Sequence, residues 1–335
     1  MTKVCRPYTR DLSIPSILDC GGGSRPPDLP GRLLDRSDRI AWLSTARVMA
    51  ILVLLAALTP LIFEMLGWGG LLLLAILLGM QFHKLTILLH ECVHGTFFFT
   101  RSLNRRVGIL AAAAAGTSFR GFQRAHLRHH RYNGSEDDPE GRIYPALRLA
   151  GRGTLLHQLL SPLLPLAAWR TLRAQVDGPR TGDRSGASEG EEPSGEMRSW
   201  TGGWRALLAV VAAQLFLAGI TSWGGSEPLL APFYQATAVT FGLFFSRLRG
   251  FCEHVPPHDW HGTSYIRSHR AHWLERFFLY DLGMNWHLEH HLYPTVPGYR
   301  LKEVNRYLSS LHTAESCRDS MMGTILRRLR TAPSW

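Results

Sequence analysis

Apolar residues along this chain collect into four long runs, and the segments between them are polar and rich in arginine. Residues 48–63 carry no charge and the run extends to about 66; residues 71–89 follow, broken only by Gln81, His83 and Lys84 toward the end. Residues 206–223 and 229–246 are both free of charge. A helix needs ~20 mostly apolar residues to cross the ~30 Å hydrocarbon core of a bilayer, and each run meets or nearly meets that length. The pattern therefore predicts four transmembrane helices, over residues 47–66, 70–89, 205–223 and 229–248. Two further apolar stretches fall short. Residues 107–119 are too few, and residues 155–169 carry Pro162 and Pro165, so both are read as interfacial or re-entrant segments.

Charge then orients the spans. The connections at 67–70 and 224–228 hold no lysine or arginine, whereas the N-terminal arm, the segment 95–203 and the C-terminal tail hold nearly all of them. By the positive-inside rule those three regions and both termini are cytosolic. The expected fold class is an all-α integral membrane protein, with four transmembrane helices in two hairpins under a cytosolic helical cap. Residues 1–45 read as a poorly ordered basic arm, 46–320 as the membrane domain and 321–335 as a basic tail. Residues 177–198, dense in Gly, Ser, Pro and Glu, read as a disordered insertion.

Composition refines this picture. The formal net charge is +11, and only three of the 37 basic residues are lysine. No basic helix interleaved with aromatics accompanies that charge, so no nucleic-acid partner is expected. Arginine over lysine with abundant Ala and Gly fits a GC-rich bacterial genome, hence a bacterial inner membrane. Five scattered cysteines make neither a disulfide framework nor a zinc ribbon. Nothing before Arg47 resembles the apolar core of a signal peptide.

The chemistry lies in the sixteen histidines. His90-Glu91-Cys92-Val93-His94 closes the second run, His126-Leu127-Arg128-His129-His130 lies in the cap, and His287-Leu288-Glu289-His290-His291 follows the fourth run. On a helix, positions i and i+4 lie about 40° apart and i and i+3 about 60°, so each box projects its imidazoles from one face. Neutral imidazole suits iron, zinc, copper or nickel. Eight such donors exceed what one ion uses, since a structural zinc takes four protein ligands and a catalytic one three. The surplus points to two metals. The first box also matches HExxH, in which Glu91 would be the base of an intramembrane metalloprotease. That reading leaves two boxes unused. A catalytically silent metal-binding scaffold is the third reading, and it has no need of eight convergent imidazoles.

The strings HECVHGTFF, HLRHHRYNGSEDDPE, RGFCEHVP and MNWHLEHHLYPTVPGYRL resemble the membrane fatty acid desaturase superfamily, which includes related hydroxylases and carotenoid-modifying oxygenases. The resemblance runs from about residue 71 to 308. It implies two irons, O₂ as co-substrate, and a ligand set of His90, His94, His126, His129, His130, His287, His290 and His291, with His254 as the ninth. It also implies desaturation of a fatty-acyl chain or similar lipid, with hydroxylation of a lipid, carotenoid or natural-product acyl chain as the alternative. No heme-domain motif adjoins the boxes, so electrons are expected from a separate ferredoxin or cytochrome b5-type carrier. Glu91, Asp138, Glu289 and, less favourably, Asp137 are candidates to orient imidazoles through the second ring nitrogen.

The remaining histidines read as bystanders. His254 follows the last apolar residues by one to two turns, level with His90 and His94 if the fourth helix reaches Glu253. Pro256 and Pro257 then end that helix, leaving His258 and His261 in a loop. His269 and His272, an i, i+3 pair, read as surface residues, as do His157 and His312. His83 is expected to line a tunnel or pack against a neighbouring helix, Lys84 to snorkel to the interface, and Arg247 and Arg249 to anchor the fourth span. Phe97, Phe98 and Phe99 read as an interfacial aromatic belt.

Overall fold

The computed structural model describes residues 27–133, 138–140, 147, 149–164, 166, 203–223, 229–255, 266–311 and 319–334. The expected insertion at 177–198, together with Asp137, His258, His261 and His312, lies outside them. Among the described residues the chain is helical, with no strand. In chain order the helices are α1 (Asp38–His94), α2 (Arg101–Ala114), α3 (Phe119–Tyr132), α4 (Arg152–Leu160), α5 (Trp204–Ser222), α6 (Leu230–His254), α7 (Trp273–Phe278), α8 (His287–Leu292), α9 (Leu301–Ser310) and α10 (Met321–Thr331).

The 57 residues of α1 would span ~85 Å as a straight helix, yet its two ends meet. Asp38 accepts a hydrogen bond from the Phe99 amide at 2.7 Å, and the Trp42 and Phe98 rings stand 5.0 Å apart. The reversal is at Gly67, whose φ of 58° and ψ of −149° break the helix into two arms. That backbone conformation is accessible to glycine and costly for residues with a Cβ. The arms, α5 and α6 then share one apolar core, with Val48, Leu52 and Ala56 from the first arm, Leu71, Leu74 and Leu78 from the second, Leu217 from α5, and Tyr234 and Ala238 from α6. The second arm and α6 approach closely at Gly79, where any Cβ would overlap Phe241. Close approach here is what lets the far ends of both helices reach one site.

Two segments are apolar and long enough to cross a membrane by length and composition, Gly31–His94 and Trp204–Ser222. The helix α6 corresponds to the fourth expected span but continues past its apolar run to His254. Several expectations are revised by packing. A 3-10 turn at Gly31–Leu34 and the start of α1 at Asp38 fall within the arm read as poorly ordered. They are held there because the Ser37 side chain caps α1 and its amide donates to the Tyr299 hydroxyl at 2.7 Å. Residues 107–114 lie in α2, where Val107, Ala111 and Ala112 pack with Leu88, Leu89 and Cys92 of α1. Phe97 and Phe98 are fully buried in that same core, and only Phe99 is exposed. The basic tail forms α10, which buries Met321, Ile325 and Arg328, the last donating to the Leu147 carbonyl at 2.5 Å.

Candidate metal centre

Four helix ends converge at one end of the bundle. The second arm of α1 delivers His90 and His94, α3 delivers His126, His129 and His130, α6 ends on His254, and the two-turn α8 carries His287, His290 and His291. A Ser118 cap starts α3, its hydroxyl accepting from the Gly121 amide at 3.1 Å, which sets the phase of the helix and so the direction of its imidazoles.

The nine imidazoles form two groups. His90, His94, His126, His130 and His290 make one, and His129, His254, His287 and His291 the other; within each group the candidate ligand atoms lie within 4.8 Å of one another. Each His-x-x-His-His box is divided between them. The i, i+4 pair His126/His130 serves the first group while His129 serves the second; the pair His287/His291 serves the second while His290 crosses to the first. The groups adjoin, with the His130 and His291 rings stacked 4.2 Å apart.

The nitrogens meet through Nε2. His90 and His290 approach to 2.8 Å, His94 and His126 to 2.9 Å, His126 and His130 to 3.0 Å, and His130 and His290 to 3.1 Å. In the second group His254 and His287 stand 3.0 Å apart, and His287 and His291 3.1 Å. Two imidazole nitrogens at right angles on one first-row ion, each at ~2.1 Å, stand about 3 Å apart. The observed spacings match that figure, and a neutral imidazole offers only one donor or acceptor at Nε2, so several nitrogens converging on one point leave hydrogen bonding incomplete. The donor set fits a metal better than it fits itself.

Burial suits this role. Burial first, then the neighbouring imidazoles and, for His287 and His290, Arg249, hold His130, His287, His290 and His291 well below the usual imidazole range. Neutral rings are the ligating form. His129 differs. Burial pulls it down, but the Asp138 hydrogen bond and the charges of Glu140, Asp138 and Glu253 leave it above the usual value.

The carboxylates take distinct positions. Both oxygens of Asp138 stand 2.9 Å from His129 Nδ1, the side of the ring away from the converging nitrogens. Glu140 does the same for His126 at 3.3 Å. Glu91 instead accepts from the Gly298 amide at 2.9 Å, and Glu289 accepts from Asn305 at 2.5 Å and from Ser268; neither has an imidazole among these partners. Glu91 and Glu289 thus pin the loops that follow and precede α8. Glu140 and Glu253 carry no signal in the sequence beyond lying beside a box or a candidate ligand histidine.

The bystanders are more buried than their spacing indicated. His269 is fully buried and non-helical, its Nε2 bonded to the Cys252 carbonyl at 3.1 Å, because the segment before α7 bonds to the end of α6, where the Arg267 amide also donates to the Glu253 carbonyl at 2.9 Å. His272 caps α7. His83 packs between helices, bonded to Ser246 at 2.9 Å and the Leu279 carbonyl at 3.1 Å. Lys84 is buried with its ammonium 5.1 Å from the Phe277 ring centroid. Arg249 pairs with Glu253 at 3.1 Å, and Arg247 donates to Gln158 at 3.4 Å. His157 is exposed.

A family model described as "Fatty acid desaturase" matches residues 66–315, which encloses every one of these histidines. The chain belongs to the fatty acid desaturase family. Among curated relatives of this desaturase-family chain is the "sn-1 acyl-lipid omega-3 desaturase (ferredoxin)" of Synechocystis sp., 23% identical over 91% of this chain and 84% of the relative. The chloroplastic omega-3 fatty acid desaturase of Glycine max is 23% identical over 76% of this chain and 59% of the relative. The endoplasmic-reticulum omega-3 fatty acid desaturase of Nicotiana tabacum is 24% identical over 68% and 62%. The chain thus spans about three fifths of the length of these two plant relatives.

Proposed function

We propose that this chain is a multi-pass membrane desaturase whose two histidine groups each hold one iron, and that it introduces a double bond into a fatty-acyl chain using O₂. The observation that carries this reading is the convergence of nine imidazoles into two adjoining groups at one end of an apolar helical bundle. His90, His94, His126, His130 and His290 would hold one ion, and His129, His254, His287 and His291 the other. Two bound irons supply the redox chemistry for removing hydrogen from an unactivated C–H bond, a task no side chain performs alone.

The protein's own residues do the rest. Asp138 and Glu140 fix the tautomers of His129 and His126 by holding Nδ1, which turns Nε2 toward the centre. Glu91, bonded to Gly298, anchors the chain beyond α8 against α1, and it stands on a backbone amide where an HExxH protease would need it free to face water. The two arms of α1, α5 and α6 are read as four spans, with the histidines and both termini on the cytosolic side of a bacterial inner membrane. A lipid-borne acyl chain then reaches the centre from the bilayer, and electrons come from a separate ferredoxin or b5-type protein. Two of the relatives carry "acyl-lipid" and "ferredoxin" in their names, which supports both partners.

The deciding experiment is mass spectrometry of lipids from a host expressing the chain beside a His129→Ala control, with metal analysis of both proteins. Loss of two hydrogens from an acyl chain, absent in the control, with about two irons per parent chain, is the expected result. A gained oxygen atom would make the protein a hydroxylase, and a single zinc without iron would overturn the di-iron reading.

A further inference from the structure

The two histidine groups are unequal. The first is built from two i, i+4 pairs, His90/His94 and His126/His130, plus His290; the second has one pair, His287/His291, plus His129 and the single His254. Four residues before His254 stands Gly250, which has no side chain to offer. The second group is therefore one donor short on the α6 side.

Glu253 lies beside that group. It is 1% exposed, and its Oε2 stands 3.5 Å from Nε2 of His287, the nitrogen that also faces His254 and His291. The other carboxylates near the boxes are committed elsewhere: Asp138 and Glu140 to Nδ1 atoms, Glu91 to Gly298, and Glu289 to Ser268 and Asn305. Oε1 of Glu253 has no hydrogen-bond partner among the described residues, while Oε2 also accepts from Arg249 at 3.1 Å. A buried carboxylate oxygen left without a partner is costly. Nine neutral imidazoles would also bring no negative charge to two buried dications, and an anionic donor offsets that deficit.

Resting on the di-iron reading above, we propose that Glu253 is the tenth protein ligand, a carboxylate oxygen donor to the ion held by His129, His254, His287 and His291. The carboxylate stands outside the 4.8 Å group of the four imidazoles, so ligation requires it to close from 3.5 Å to the ~3 Å expected between neighbouring donors on the His287 side and to turn toward the other three. Arg249 then holds the carboxylate in line from the turn before it.

The test uses full-length protein purified in lipid nanodiscs and supplied with isotopically enriched iron, as parent, Glu253→Gln and Glu253→Ala. Iron should fall from about two per chain toward one in both variants, with one of the two Mössbauer components lost or altered. Variants that keep two irons and the parent spectrum overturn the proposal, even if turnover is lost. The double variant Arg249→Gln/Glu253→Gln separates ligation from mere neutralisation of Arg249: iron staying near one supports the assignment, and iron restored to two overturns it. Parent protein without iron would instead undo the di-iron reading itself.

Discussion

Both carboxylate oxygens of Asp138 stand 2.9 Å from Nδ1 of His129, and both residues are shut off from solvent. The carboxylate fixes which ring nitrogen carries the proton and raises the basicity of the other. Asp138→Asn keeps the size and loses the charge. Outer-shell partners of this kind are worth 10–100-fold in metal affinity, ~1.4–2.7 kcal/mol. Iron titration of the apo-protein should show a loss of that size, confined to one of two binding steps.

The same pair should make iron uptake pH-dependent. His129 sits above the usual imidazole value in the metal-free protein, so below its folded pKa it carries a proton that ligation must displace. Below its folded pKa, affinity at the four-histidine group should therefore rise with pH, about tenfold per unit for one proton; above that pKa the dependence should vanish. Calorimetry in buffers of different ionisation enthalpy should find a proton released by the parent and a smaller release by Asp138→Asn.

His269 and His254 are both buried on or under the end of α6, yet they should respond differently. His254→Ala should lose iron and activity. His269→Ala removes a hydrogen bond to the Cys252 carbonyl and leaves a buried acceptor unmet, costing ~1–3 kcal/mol of stability while iron stays at the parent level. Metal analysis beside thermal unfolding in detergent distinguishes the two.

If the hairpin of α1 spans the bilayer, the reversal at Gly67 and the ends of its arms face opposite compartments. In a cysteine-free background, Gly69→Cys should react with an impermeant thiol reagent from the periplasmic side only. Ser102→Cys and Ser309→Cys, both exposed positions, should react only after the membrane is opened. All three reacting from one side would remove the four-span topology.

The net charge of +11 favours an acidic redox partner, with long-range attraction that salt screens. Turnover driven by a reconstituted acidic ferredoxin should fall as ionic strength rises from ~0.05 to ~0.3 M. A flat response would place docking on contacts other than charge.

The helices and boxes were legible because both obey simple periods. Long apolar runs force backbone hydrogen bonds inward, and histidines at i, i+3 and i+4 share a face whatever surrounds them. What stayed hidden depends on which apolar surface meets protein and which meets lipid. Phe97 and Phe98, read as a belt, look the same in sequence whether buried in a core or facing headgroups. His269 was misplaced for the opposite reason: its partners are the backbone of Cys252 and the side chain of Asn285, contacts between segments that no local spacing announces. Glu253 likewise looks like an ordinary acidic residue at a helix end until the approach of α8 puts His287 beside it.

The 200 residues separating His90 from His290, whose nitrogens end 2.8 Å apart, also set a clock. On the ribosome, His90, His94, His126 and His130 emerge together, and four-fifths of one group can gather while the other has only His129. At ~5–20 residues per second, His290 follows on the order of ten seconds later. If the two groups hold iron as proposed, the nascent chain in that interval would offer only a partial site with no second iron beside it, and oxygen chemistry would wait until the last box leaves the ribosome.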